Sequence, residues 1–316
     1  MTVAGLRLGL CCAFVEAPIK FRTTTARYTG SLSPPARREK LRSIAWDNAT
    51  ALGSAVEWCA AHHVGAFRIQ SEMLPLSTHP ELGYELSSID ERGEIEGQLR
   101  AAGETAATRD VRLSFHPDQF IVPGSHRAEV VDRSLLDLES LAKLAGVVGA
   151  AQLTLHGGGA HGGKEAALDR LVRGLARLSP RARKLIVLEN DDRVFTVEDL
   201  LPICRREGIP LVYDVHHHRC NPDRLDVEEA TDAATETWAS REPWAHVSSP
   251  LHGWGSTNPR PHSDFIDPDD LPRSWLSRDL TVDVEAKAKE LAVLRLRRWI
   301  DRRGLASASP AVEPPG

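Results

Sequence analysis

The sequence has no apolar run approaching the roughly 20 residues that a bilayer-crossing helix needs. Its N-terminal apolar stretch, Leu8–Val15, is too short to read as a secretory leader. It has no CxxC pair, and its five cysteines (Cys11, Cys12, Cys59, Cys204, Cys220) are odd in number. That usage argues against a disulfide framework or a thiolate metal knot, and small buried thiols in a reducing compartment, the cytoplasm, are expected instead. A basic excess is also missing: 39 Lys and Arg stand against 44 Asp and Glu, for a formal charge of −5. This speaks against a generally basic nucleic-acid coat and leaves room only for a local basic groove. No fixed-period repeat and no splitting linker interrupts the chain.

What is present is a regular alternation. Short apolar runs at Leu6–Phe14, Ala66–Ser71, Arg112–His116, Gln152–His156, Leu185–Glu189, Leu211–Asp214, Ala245–Ser248 and Thr281–Glu285 read as strands. Between them lie amphipathic stretches. One begins near Arg38 and puts Leu41, Ile44, Ala45, Asn48, Leu52, Ala55, Val56 and Cys59 on one face. Another begins at Thr196, with Asp199 placed to complete a capping box. Further helices are expected near Glu129–Leu144, Lys164–Leu178, Val227–Trp238 and Val284–Ile300. Strands alternating with helices in this number predict an α/β fold, a single (β/α)8 TIM barrel over residues 1–304, with 305–316 as a disordered tail. An open doubly wound sheet is the competing architecture. A length of 316 residues fits one barrel and buries a core without disulfides.

The chemistry lies at the strand ends. His116 and His156 end the third and fourth strands, Glu189 the fifth, and Asp214 the sixth with His217 just beyond. His246 lies in the seventh strand, His262 in the loop after it, Glu285 at the end of the eighth and His79 in the loop after the second. In a barrel those ends form one rim, where active sites lie. A lone histidine is more often a hydrogen-bonded structural residue than a ligand. Glu189 and Asp214, however, follow buried apolar runs, where a carboxylate is costly unless a cation or hydrogen bonds meet it. Nitrogen and oxygen ligands without thiolate suit Mn, with Zn, Fe or Mg open. The set exceeds what one ion takes, so two or three divalent ions bridged by carboxylates are expected, an arrangement suited to phosphodiester cleavage. Glu189, Glu285, Asp214 and His246 are the candidate catalytic residues.

Weaker features have plainer readings. His156-Gly157-Gly158-Gly159-Ala160-His161-Gly162-Gly163-Lys164 lacks the GxxxxGK[ST] spacing of a phosphate loop and reads as a turn. Of His216-His217-His218, taken as a strand end where alternate residues point inward, His217 is the expected ligand. The run Arg295, Arg297, Arg298, Arg302, Arg303 reads as a solvated helix face. Phe120 beside Gln119, after the third strand, could stack on or wedge between bases.

The segments His116-Pro117-Asp118-Gln119-Phe120, Leu188-Glu189-Asn190-Asp191-Asp192, Tyr213-Asp214-Val215-His216-His217, His246-Val247-Ser248-Ser249-Pro250 and Val284-Glu285-Ala286-Lys287 resemble the UV damage endonuclease family, over nearly the whole chain. The resemblance implies an architecture like that of endonuclease IV. It implies a metal-dependent nick immediately 5′ to a damaged site in double-stranded DNA, commonly a UV photoproduct, with abasic sites a further candidate. It implies that His79, His116, His156, Glu189, Asp214, His217, His246, His262 and Glu285 form the metal site, and that Gln119 and Phe120 probe the lesion. The family carries a lysine, able to become carboxylated and ligate a third metal, where this chain has Trp244. Some members place a tyrosine after the first-strand glycine and an asparagine soon after, whereas here Leu10 follows Gly9 and Cys11–Val15 contain no asparagine. The implied division gives one ion to His116, His156 and Glu189, and a second to Glu189, Asp214, His246 and Glu285. A third is left with His217 and His262 alone and is expected to be weakly held. The competing function is a TIM-barrel isomerase or phosphoesterase acting on a small sugar or phosphate, since fold does not fix function. A non-enzymatic DNA-binding protein is disfavoured by the full ligand set. No membrane association and no obligate protein partner is expected.

Overall fold

The computed structural model describes residues 5–307, with side chains through Arg302. Eight parallel strands, β1 (Leu6–Cys11), β2 (Ala66–Ile69), β3 (Arg112–Phe115), β4 (Leu153–His156), β5 (Ile186–Glu189), β6 (Leu211–Asp214), β7 (Trp244–Val247) and β8 (Leu280–Val284), pair in sequence order. β8 returns to β1, with Leu6 opposite Leu280 and Gly9 opposite Asp283, and the sheet closes into a barrel. The open-sheet alternative is therefore set aside. Among the described residues no helix is long and apolar enough to cross a membrane.

The two-residue period of a strand sorts the side chains. Leu8, Leu10, Phe67, Phe115, Leu155, Leu188, Tyr213, Val247 and Val282 point outward and join one apolar cluster with the surrounding helices. Their neighbours, among them Ala66, Val187, Val212 and Trp244, turn inward and make a small second cluster inside the barrel. The helix Pro34–Ala61 starts with proline in its first turn, and its expected face is buried, Asn48 included. The Asn48 amide bonds the backbone of Arg22 and the carbonyl of Met73, tying two loops of the upper rim to this helix. Thr196 and Asp199 form the expected capping box of the helix Val197–Glu207. Residues 157–163 form a turn rich in left-handed glycine, as read from the sequence.

Several expectations need correction. β1 stops at Cys11, not Phe14, because Cys12 takes a left-handed conformation (φ 66°) that a strand cannot continue through. The last helix begins at Glu290 rather than Val284, since β8 runs to Val284 and Lys289 is again left-handed. It continues to Ser307, so the expected tail at 305–316 begins within a helix, and 308–316 fall outside the described residues. His216-His217-His218 is helical, not extended. Asp214 caps the short helix Val215–Cys220 by accepting from the His217 backbone N–H.

Two sets of contacts shape the ends of the barrel. At the N-terminal end, Arg7 bonds Glu242 (3.0 Å) and pairs with Asp110 (3.1 Å). Arg112 bonds Thr281 (2.6 Å), lies 3.3 Å from Glu242 and stacks 4.2 Å over the Trp244 ring. At the C-terminal end, the buried Glu290 carboxylate accepts the backbone N–H groups of Val15, Glu16 and Ala17, which moors the loop after β1.

Candidate metal centre

The ends of β3 to β8 lift imidazoles and carboxylates into a common space above the barrel. Glu189, fully buried, lies at its middle. Its Oε2 is 2.7 Å from His116 Nε2 and 3.7 Å from His156 Nε2, and its Oε1 is 3.0 Å from His246 Nδ1 and 3.3 Å from His217 Nδ1. Asp214, also fully buried, has Oδ2 at 3.5 Å from His217 Nδ1 and 3.9 Å from His246 Nδ1. Glu285 has Oε1 at 3.4 Å from His246 Nδ1 and Oε2 at 3.7 Å from His262 Nδ1. The same Oε1 of Glu285 pairs with Arg68 from β2. Toward this end the first strand turns Gly9 and Cys11 inward, neither of them a member of the converging groups.

Three overlapping groups each converge closely enough to hold one cation: His116, His156 and Glu189; Glu189, Asp214 and His217; Asp214, His246 and Glu285. The first agrees with the implied division. The third lies within the set implied for the second ion, and the second departs from the division, because His217 sits against Glu189 and Asp214 and is not left with His262 as its only companion. His262 stands at the edge, hydrogen-bonded to Ser248 and within reach of Glu285. His79 is not brought to this space by any contact among the described residues. Its Nδ1 accepts from the backbone N–H of Glu81 and Leu82, and it lines a side groove with Tyr84, Leu136 and Lys143. Gln119 and Phe120 lie in the loop after β3, and Phe120 is 78 % exposed.

Electrostatics set the character of the cluster. Burial opposes the charge on Glu189, yet His246, His156 and His116 hold its carboxyl well below the usual range. Burial opposes the charge on Glu285 as well, and Arg68 and His246 overcome it. Burial pushes the His246 imidazole down, but Glu189, Glu285 and Asp283 raise it to about 9. His217 is carried well above its ordinary value by Asp214 and Glu189 against the same penalty. Burial lowers His156, with Glu189 offsetting only part. Protons on His246 and His217 thus partly neutralise three packed carboxylates.

Divalent cations would do the same with shorter bonds, and these residues fit them. Asp214 Oδ2 and His156 Nδ1 are buried without a hydrogen-bond partner, an arrangement that ligand atoms tolerate and structural ones rarely do. The donors are all imidazole nitrogen and carboxylate oxygen, the set for hard or borderline divalent ions.

Sequence reasoning overlooked two interior residues, Arg68 and Asp283. A signal existed: Thr281, Asp283 and Glu285 alternate with valines in β8, which is the period of a strand with one polar face. Arg68 is likewise a charge inside a short apolar strand.

Comparison with known proteins places the family and the fold. The chain is 32% identical over 306 residues to the UV DNA damage endonuclease of Bacillus velezensis, covering 92% of each protein. A crystal structure of SacUVDE superposes with a TM-score of 0.84 at 26% identity, over 95% of this chain and 99% of that one. Endonuclease IV from Thermus thermophilus shares the fold, with a TM-score of 0.61 at 16% identity over 96% of this chain and all of that one. The UV-endonuclease UvdE family profile matches residues 6–311, so the chain belongs to the UV-endonuclease UvdE family.

Proposed function

We propose that this protein is a metal-dependent endonuclease that cuts double-stranded DNA immediately 5′ to UV photoproducts. One observation carries the reading: Glu189, Asp214 and Glu285 converge with His116, His156, His217 and His246 at the C-terminal end of the barrel, leaving ligand atoms unpaired. Bound divalent ions supply Lewis acidity toward a phosphodiester and neutralise the charge that develops as it breaks. Two or three ions, Mn foremost, suit the three overlapping groups.

The chain's own residues do the rest. Glu189 and Asp214 present anionic oxygens shared between neighbouring groups, and Arg68 holds Glu285 as an anion in one orientation. Phe120, exposed beside Gln119, is the wedge that opens a distorted duplex. Unstacking costs a few kcal/mol per step and least at damage, which favours lesions over intact DNA. Lys20, Arg193 and Arg260, in loops after β1, β5 and β7, offer cations for backbone phosphates without a generally basic surface. One barrel, running from the first strand at Leu6 to the last helix ending at Ser307, carries the whole site.

The test is incision of end-labelled duplexes carrying a photoproduct, an abasic site or no damage, with Mn²⁺ and after chelation. A single cut 5′ to the photoproduct that vanishes on chelation is expected. Incision insensitive to chelation, or equal on intact duplex, would overturn the proposal.

A further inference from the structure

Asp283 is the one carboxylate inside the barrel that the reading above leaves without work. It precedes Glu285 by two residues, so both face the axis, with Asp283 one layer deeper. It is 1 % exposed, and neither carboxylate oxygen has a hydrogen-bond partner among the described residues. An unpaired buried carboxylate is destabilising, and the fold nonetheless makes room for it. Its register partner Gly9 has no side chain, and a Cβ there would lie 2.2 Å from Asp283 Oδ1. Arg68, the nearest full cation, is engaged by Glu285. Trp244, stacked on Arg112, lies in the same interior, and its indole N–H approaches Asp283 without reaching good hydrogen-bond geometry.

What Asp283 faces is the back of a candidate ligand. Its Oδ2 is 3.7 Å from His246 Nε2. The other nitrogen of that ring, Nδ1, lies 3.0 Å from Glu189, 3.4 Å from Glu285 and 3.9 Å from Asp214. The imidazole is therefore strung between the cluster on one side and a lone carboxylate on the other. A histidine whose far nitrogen donates to a carboxylate is locked in one tautomer, with the near nitrogen's lone pair bare and more basic.

We propose that Asp283 is the positioning residue for His246, closing from 3.7 Å to accept its Nε2–H when the ion binds and so aiming Nδ1 at the cation shared with Asp214 and Glu285. This rests on the metal-centre reading above. The unpaired buried charge is then a cost to the metal-free protein that is recovered when the ion binds.

Mn²⁺ binding to the full chain, measured by equilibrium dialysis, tests this together with thermal melting in chelator. Asp283→Ala should weaken the affinity about 10–100-fold, while its melting temperature in chelator does not fall. Asp283→Asn, whose amide oxygen still accepts a hydrogen bond, should recover much of the loss. In a His246→Ala background Asp283→Ala should add nothing. Affinity within about twofold of the parent, or a loss undiminished when His246 is absent, would overturn the proposal while leaving the metal centre standing. A parent that binds no Mn²⁺ would overturn both. Should Asp283→Ala fail to fold, ¹⁵N NMR of the Zn²⁺-loaded parent decides: a proton on His246 Nε2 is expected, and a proton on Nδ1 overturns the assignment.

Discussion

The two ends of the barrel are lined by the same kinds of side chain and arranged on opposite principles. At the N-terminal end Arg7, Arg112, Glu242, Asp110 and Thr281 find each other, and every charge has an opposite within hydrogen-bond or ion-pair distance. At the C-terminal end three carboxylates crowd against imidazoles, and Asp214 Oδ2 and His156 Nδ1 are buried without a hydrogen bond. A group that pairs internally closes the structure. A group held in place without a partner is waiting for something the chain does not supply. Barrel enzymes divide stability and chemistry between their ends in this way, and here the division can be seen atom by atom.

The comparison is broken most sharply at Glu189, which joins both sides of the cluster. Glu189→Gln keeps the shape and removes the charge. Incision of photoproduct-containing duplex should fall by about 10³-fold or more, with less metal retained after dialysis. The metal-free fold should survive, as read by circular dichroism. Unchanged activity and metal content would sink the assignment.

The second expected effect concerns pH. His246 is raised to about 9, so without metal it contributes stability that is complete below its ordinary value near 6.5 and is lost as pH rises through about 9. Metal must displace that proton, so Mn²⁺ affinity should climb by up to about tenfold per pH unit between roughly pH 7 and 9, and flatten above. Glu189 and Glu285 carry the opposite sign. Their carboxyls are held low, so their contribution is present above about 4.5 and disappears as pH falls through the depressed values. Isothermal titration across that range, with melting curves in chelator, checks both. An affinity flat from pH 7 to 9 would contradict the arrangement.

At the closed end the expected response is different in kind. Glu242→Ala removes the carboxylate shared by Arg7, Arg112 and Thr281 and should lower unfolding free energy by about 2 kcal/mol, measured by urea denaturation. Activity per folded molecule should stay at the parent level. A large loss of activity without loss of stability would mean that the ends are not separable. The smallest effect is expected beyond the metal site: Phe120→Ala should reduce preference for damaged over intact duplex by about tenfold, with metal content unaltered. A preference equal to the parent's would remove the wedge.

How far this was legible in the sequence follows from the same contrast. The barrel and its rim could be read, because buried strands are apolar runs and a carboxylate at the end of such a run is conspicuous, as at Glu189 and Asp214. Local backbone choices were harder. The left-handed turn at Cys12 has no sequence mark, and the three histidines after Asp214 become helical because that aspartate caps them as well as lining the cluster. His79 follows β2 as the others follow their strands, but its loop folds back on itself. Gly83 bonds the His79 carbonyl, and the imidazole turns to Glu81 and Leu82. Position after a strand gives the end of the barrel and not the direction of the side chain.

The mooring of the first loop has a consequence for how such a protein can change. Glu290 grips Val15, Glu16 and Ala17 through their backbone N–H groups, which every residue except proline possesses. The shape of that loop is thus set from outside and is indifferent to which side chains it displays. Val15 and Glu16, whose side chains face solvent, can therefore be exchanged without disturbing the barrel, whereas Ala17 packs against the core, so this edge of the cleft keeps its shape while its outer face is free to change.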